Sequence, residues 1–383
     1  MAAHATPSRR RGRWIFAGGG LLAVLLSGCG GRAAGPETQA LAAVGRSIFF
    51  DGALSDPAGQ SCASCHDPGH GFTDPRGMAT SEGVLAHAFG SRNAPTAAYA
   101  AFSPVFYYDG ANGGYRGGQF LDGRASTLAD QAQGPPLNPI EMHNPDSASY
   151  AAKVASRPYA DQLRSLFGAE VFVDPAHAMA SIAKAVEAFE RSREVSPFSS
   201  KYDAYLAGKT ELTPLESQGL GFFEGRAGCS ACHPSRPGAD AQRPLFTDFT
   251  YDNIGLPRNP ENPFYTQSAA VNPAGFAFVD IGLAGNPRVI RDGAARANLG
   301  RFKVPTLRNV ALSAPYTHNG VFGTLREVVA FYNRRDVAPA RFGPPEVPET
   351  VNRTELGDLG LTEAEDDALV AFLTTLTDGY PSP

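Results

Sequence analysis

The placement of cysteines constrains this chain more than any other feature. Cys62-Ala63-Ser64-Cys65-His66 spells C-x-x-C-H, and the spelling returns once as Cys229-Ser230-Ala231-Cys232-His233. Two thiols at this spacing can form thioether bonds to a porphyrin edge, and the imidazole that follows is then close enough to ligate the iron. A lone copy could be a redox dithiol or half of a zinc site. Two copies in similar surroundings, without the further Cys/His ligands a structural zinc needs, point to two covalent c-type haems with His66 and His233 as proximal ligands.

The fifth cysteine belongs to the start of the chain. Arg9, Arg10, Arg11 and Arg13 form a basic segment, an apolar stretch runs from Trp14 to Leu26, and Ser27 and Gly28 precede Cys29. Residues 1–28 therefore read as an export signal, too short and glycine-rich for a transmembrane helix. Leu26-Ser27-Gly28-Cys29 is similar to a bacterial lipobox, which makes Cys29 the lipidated first residue of the mature chain. The alternative is an ordinary signal peptide with a stray cysteine. Either way the mature chain lies outside the cytoplasm, and the lipid anchors it on the periplasmic side of a bacterial membrane. Two haems use four of the five cysteines and a lipid uses the fifth, leaving none for a disulfide. Loss of four arginines with the signal takes the formal charge from −5 to about −9. With no basic patch, nucleic-acid binding is excluded.

The two motif regions read as a divergent internal repeat. Gly45-Arg46-Ser47-Ile48-Phe49-Phe50 precedes the first and Gly219-Leu220-Gly221-Phe222-Phe223 the second, while Phe72-Thr73-Asp74 and Phe246-Thr247-Asp248 follow. Capping boxes at Thr213/Glu216, Thr324/Glu327 and Thr362/Glu365 open three helices. Asp174 caps another that runs to about Glu194, with Ala178, Ile182, Val186 and Phe189 at helical spacing. Strand-like alternation is scarce, and long Gly/Pro-rich connections at 109–118 and 234–300 are expected to wrap haem. The expected fold is all-α: two cytochrome-c-like haem domains with long irregular loops. The N-terminal domain spans 36–205 and the C-terminal one 206–383, with the boundary at 196–208 and a last helix able to pack back on the first domain.

Six ordered stretches resemble the bacterial di-haem cytochrome c peroxidases and their MauG-like relatives. They are Arg92-Asn93-Ala94-Pro95-Thr96, Phe120-Leu121-Asp122-Gly123-Arg124, Gln131-Ala132-Gln133-Gly134-Pro135, Asn138-Pro139-Ile140-Glu141-Met142, Lys303-Val304-Pro305-Thr306-Leu307-Arg308-Asn309 and Pro315-Tyr316-Thr317-His318-Asn319-Gly320. The resemblance implies that peroxide meets the N-terminal haem while the C-terminal haem stores or relays oxidising equivalents. It implies Glu141 as the proton-transfer group, Gln131 as the residue that orients peroxide and Pro135 as a pocket wall. It also implies a calcium ion held by the Asn93 side chain and the carbonyls of Ser313 and Pro315; two turns with no metal are the alternative. An external donor is implied too: a small cytochrome, a cupredoxin or a protein substrate.

No methionine follows residue 179, so a methionine ligand from the second domain is impossible. The family position for that ligand is Tyr332, which shares a helical face with Leu325, Val328 and Val329. MauG-like members carry tyrosine there, so the resemblance implies His/Tyr ligation of the second iron, a buried core tyrosine being the alternative. His318 falls beside the haem rather than on it, His70 has no assigned role, and His87 reads as a surface residue near the place where some relatives park a distal ligand. The family's usual inter-haem tryptophan is Leu121 here, leaving Phe120, Tyr316 or direct tunnelling to carry charge. The expectation is a di-haem peroxidase of the MauG-like branch. The rivals are an oxidase that matures side chains of a partner protein and a non-catalytic electron-transfer cytochrome.

Overall fold

The computed structural model describes residues 35–381; the signal segment and Cys29 lie outside the described residues. From Pro36 onward the chain forms one compact unit. Its helices in chain order are α1 (Pro36–Phe49), α2 (Leu128–Ala132), α3 (Gly134–Leu137), α4 (Ser147–Ala155), α5 (Ala160–Phe167), α6 (Pro175–Glu190), α7 (Lys201–Leu206), α8 (Pro214–Glu224), α9 (Pro287–Arg291), α10 (Leu325–Arg334), α11 (Pro339–Phe342) and α12 (Glu363–Thr374). Two antiparallel strand pairs join them: β1 (Tyr107–Asp109) with β2 (Gly114–Arg116), and β3 (Tyr251–Asp252) with β4 (Phe302–Lys303). The fold is thus helix-rich with a few short strands. Among the described residues no helix is long and apolar enough to cross a membrane.

The repeat in the sequence is a repeat of packing. In the first half α1 crosses α6; in the second, α8 crosses α12. Each crossing is made at a glycine. A Cβ on Gly45 would lie 1.8 Å from the Ala185 carbonyl oxygen, and one on Gly219 would lie 1.9 Å from that of Ala368. Only glycine lets the two backbones come this close. One turn further along each helix, Phe49 meets Phe189 and Phe223 meets Phe372, both at 5.1 Å between ring centroids. A third ring closes each cluster, Phe72 at 6.2 Å from Phe49 and Phe246 at 6.1 Å from Phe223. Burying such a side chain is worth roughly 1.5–3 kcal/mol, so these rings anchor the two cores.

The capping boxes at Thr213, Thr324 and Thr362 form as the sequence implies. The structure departs from the sequence reading in four places. The helix capped by Asp174 ends at Glu190, short of Glu194. The chain turns there because Val195 enters the core and Ser196 Oγ accepts the Tyr99 N–H at 3.1 Å. The expected boundary stretch holds α7, whose Asp203 is buried against Arg308 by two bonds of 2.9 and 3.0 Å. The 109–118 connection begins in the turn of the β1–β2 hairpin. Finally, α12 packs on α8 of its own half; the tie to the first half is made beyond the helix, by Asp378.

Candidate haem and peroxide site

Both histidine loops are built alike. Each cysteine pair opens a single 3-10 turn, Cys62–Ser64 and Cys229–Ala231. His66 Nδ1 lies 3.1 Å from the Phe72 carbonyl, and His233 Nδ1 lies 2.8 Å from the Phe246 carbonyl. A carbonyl can only accept, so Nδ1 carries the proton and Nε2 keeps its lone pair for a metal. The two phenylalanines take left-handed φ values of 60° and 53°, which aims those carbonyls at the rings. A threonine hydroxyl braces each turn: Thr96 donates to the Gly71 carbonyl and Thr306 to that of Leu245, both at 2.6 Å. The recurring Phe-Thr-Asp and Pro-Thr spellings thus have one task, which is to orient an imidazole.

Burial lowers both histidine pKa values, so the rings stay neutral, the form that binds iron. Burial also pushes the thiols of Cys62, Cys229 and Cys232 up to about 12 and raises that of Cys65. A redox dithiol is activated by a depressed thiol pKa, so these raised values speak against the dithiol reading. Among the described residues no group of three or more His, Cys, Asp or Glu side chains could hold a metal, which removes the zinc reading. Two thiols and one neutral imidazole with a free Nε2 in each half fit a covalent haem.

A cavity of about 360 Å³, of a size with cofactor pockets, is lined by Cys229, Cys232, His233 and Tyr332. Leu325, Val328 and Val329 line it as well, so the expected helical face does turn inward. The Tyr332 phenol makes no hydrogen bond to a described residue, whereas the hydroxyls of Tyr202, Tyr251 and Tyr316 each donate to a carbonyl. Burial holds the Tyr332 pKa above its usual value. Only a directly bonded cation could keep it as phenolate.

In the first half, Thr127 caps α2 through a capping box with Asp130. Gln131 follows on that helix, and its amide makes no bond to a described residue. Pro135 sits at the start of α3. The chain then folds back turn on turn, with the Asn138 N–H donating to Pro135 and the Glu141 N–H to Asn138. Glu141 is half-buried, and its Oε1 accepts from Asn138 Nδ2 at 2.7 Å. Burial raises its pKa, against the opposing pull of that bond and of Arg124.

Asn93, Ser313 and Pro315 line the same cavity as Tyr332, and the Asn93 N–H donates to the His318 carbonyl at 2.7 Å. His318 stacks on Phe302 at 3.7 Å, with neither ring nitrogen hydrogen-bonded to a described residue. His70 and His87 are exposed. Tyr99, which is buried, and Asp378, which is half-buried, were missed by the sequence reading; they share a hydrogen bond of 2.7 Å. A tyrosine three residues past a Pro-Thr brace was the one available signal.

The comparisons with known proteins agree with this geometry. Residues 39–211 match the family model for di-haem cytochrome c peroxidase. The methylamine utilization protein MauG of Paracoccus denitrificans is 45% identical over 379 residues, covering 94% of this chain and 95% of that protein. This chain belongs to the di-haem cytochrome c peroxidase and MauG family. The cytochrome c551 peroxidase of Nitrosomonas europaea, another member, is 32% identical over 354 residues, covering 91% of this chain and 84% of its own length. Among solved structures, the diheme peroxidase BthA from Burkholderia thailandensis matches with a TM-score of 0.78 at 37% identity, over 88% of this chain and 86% of that one. Family membership makes the chain an oxidoreductase with two c-type haems, as the duplicated C-x-x-C-H implies.

Proposed function

We propose that this di-haem peroxidase reduces hydrogen peroxide in its first half and ligates the second iron through Tyr332 as well as His233. One observation carries the reading: Pro135 and Tyr332 are internal equivalents. Each lies eight residues beyond a capping threonine, Thr127 or Thr324, and each cap follows a matching bridge, Gln119–Ala125 or Tyr316–Phe322. One half offers a phenol at this position; the other offers a ring with no donor atom. Tyr332 would therefore give the second iron a further ligand from the chain, whereas Pro135 would leave the first open to peroxide. The haems, when bound, supply the redox chemistry, including storage or relay of oxidising equivalents at the second site.

The chain's own residues handle the protons. Glu141, held by Asn138, takes a proton from one peroxide oxygen and delivers it to the other, and its raised pKa suits a group that both takes and gives. The free amide of Gln131 orients peroxide, and Pro135 keeps the wall apolar. The Asn93 side chain with the Ser313 and Pro315 carbonyls supplies hard oxygen ligands for a calcium ion. The reading extends to two cytochrome-c-like domains, 36–205 and 206–383, and to a periplasmic, lipid-anchored chain served by an external electron donor. A second reading, maturation of side chains on a partner protein, is favoured by the greater identity to the methylamine utilization protein MauG than to the Nitrosomonas peroxidase. Glu141 with Gln131 speaks against a simple electron carrier.

Stopped-flow spectroscopy of the diferric protein tests the proposal. Peroxide should alter the bands of both haems without prior reduction. A protein inert until its second haem is reduced would overturn the open-site and tyrosine assignments together.

A further inference from the structure

The chain's only tryptophan, Trp14, lies outside the described residues. Among the described residues, the aromatic rings that could carry charge between the two histidine loops are those of tyrosine and phenylalanine, beside direct tunnelling. Tyr99 occupies that place. The Ala97 N–H, two residues before it, donates to the same Phe72 carbonyl that orients His66. On the other side the Arg308 guanidinium lies 4.8 Å from the Tyr99 ring and 6.0 Å from that of Phe246, whose carbonyl orients His233. The positive charge of Arg308 is matched by Asp203.

Tyr99 is 1% exposed, and its hydroxyl donates to Asp378 Oδ2 at 2.7 Å while accepting the Phe198 N–H at 2.9 Å. The repeat explains the geometry. Tyr99 and Asn309 each stand three residues after a bracing threonine, at left-handed φ values of 62° and 60°. Asn309 Nδ2 donates to the same Asp378 Oδ2 at 2.9 Å. The two halves thus converge on one carboxylate oxygen, and only the first half brings an oxidisable ring to it.

We propose that Tyr99 and Asp378 form a proton-coupled redox relay between the two haem-binding halves. The inference rests on the peroxide reading above, which supplies the oxidant. In each event the phenol O–H bond breaks. The electron passes to the peroxide-oxidised haem pair, and the proton moves along the 2.7 Å hydrogen bond to Asp378 Oδ2. A neutral tyrosyl radical then faces a neutral carboxylic acid. An electron from the external donor and return of the proton restore both. No net charge is created at a buried site, where an unpaired charge would be costly. Tyr316 has no such outlet, because its hydroxyl donates to the Val310 carbonyl, which cannot take a proton. Burial also keeps the Tyr99 phenol protonated at rest, so loss of its electron requires a proton acceptor.

Freeze-quench paramagnetic resonance of the holoprotein with peroxide tests the relay, using natural and ring-deuterated tyrosine. A tyrosyl signal that narrows on deuteration and vanishes in Tyr99→Phe, at unchanged haem content, is the expected result. Peroxide-altered haem bands with no tyrosyl signal, or a signal that survives in Tyr99→Phe, overturn it. Should Tyr99→Phe fail to take up haem, Asp378→Asn decides, since an amide keeps the shape but cannot accept the proton. Radical yield should then fall at least roughly tenfold; an unchanged yield overturns the relay. A purely structural bond would lower the unfolding midpoint of both variants and leave the radical untouched. If peroxide leaves the wild-type haem bands unaltered, the peroxide reading falls and the relay with it.

Discussion

Glu141 and Tyr332 are the side chains on which the chemistry turns, and each answers to a single substitution. Glu141→Gln should retain both haems but react with peroxide more slowly by on the order of a hundredfold. Because burial raises the carboxyl pKa, the wild-type rate should climb with pH through that raised value as the base form appears, and the variant should lose this dependence. Rapid-mixing rates across a pH series read both effects. Tyr332→Phe should change the low-spin ferric resonance of the second haem, while the first haem still binds small ligands; an identical low-spin signal would make Tyr332 an ordinary core residue. At this scale the cysteines and histidines were legible in the sequence, because a covalent motif is local. Gln131, Pro135, Glu141 and Tyr332 could be named only through the family resemblance. Tyr99 escaped because its partner, Asp378, is 279 positions away and no local pattern marks such a pair.

The helices carry the repeat. Gly45→Ala and Gly219→Ala should each destabilise the protein by about 1–3 kcal/mol or more, since each new methyl meets a backbone carbonyl that cannot yield without parting two helices. Denaturant midpoints of the holoprotein measure this. The glycines were visible before the repeated haem loops, but their reason was not, because a close crossing is a property of two helices. The capping boxes were readable since they are closed within four residues. The end of α6 was not, because a tertiary contact, Ser196 to Tyr99, sets it. That helix also ends in Glu190, buried with Oε2 lacking a hydrogen bond to a described residue and its pKa pushed up to about 8 from 4.5. Between those values the folded chain holds a proton that the unfolded chain has released, so stability falls as pH rises. Glu190→Gln should therefore raise the thermal midpoint, by a margin that widens from about pH 4.5 to about pH 8.

For the whole molecule, the anchor is tested at the membrane: Cys29→Ala should move the protein from the membrane pellet to the soluble fraction, as fractionation and immunoblotting would show. The repeated packing of α1 on α6 and α8 on α12 was foreshadowed by the doubled motif, whereas the manner in which the two repeats join was not. It depends on Arg308 reaching Asp203 and on Asp378 reaching Tyr99, Ser199 and Asn309. That last junction bears on biogenesis. Asp378 is synthesised after both cysteine pairs, so the clasp cannot shut while either C-x-x-C-H is still emerging. Porphyrin attached before Asp378 has emerged would therefore meet two loops whose halves this carboxylate has not yet joined.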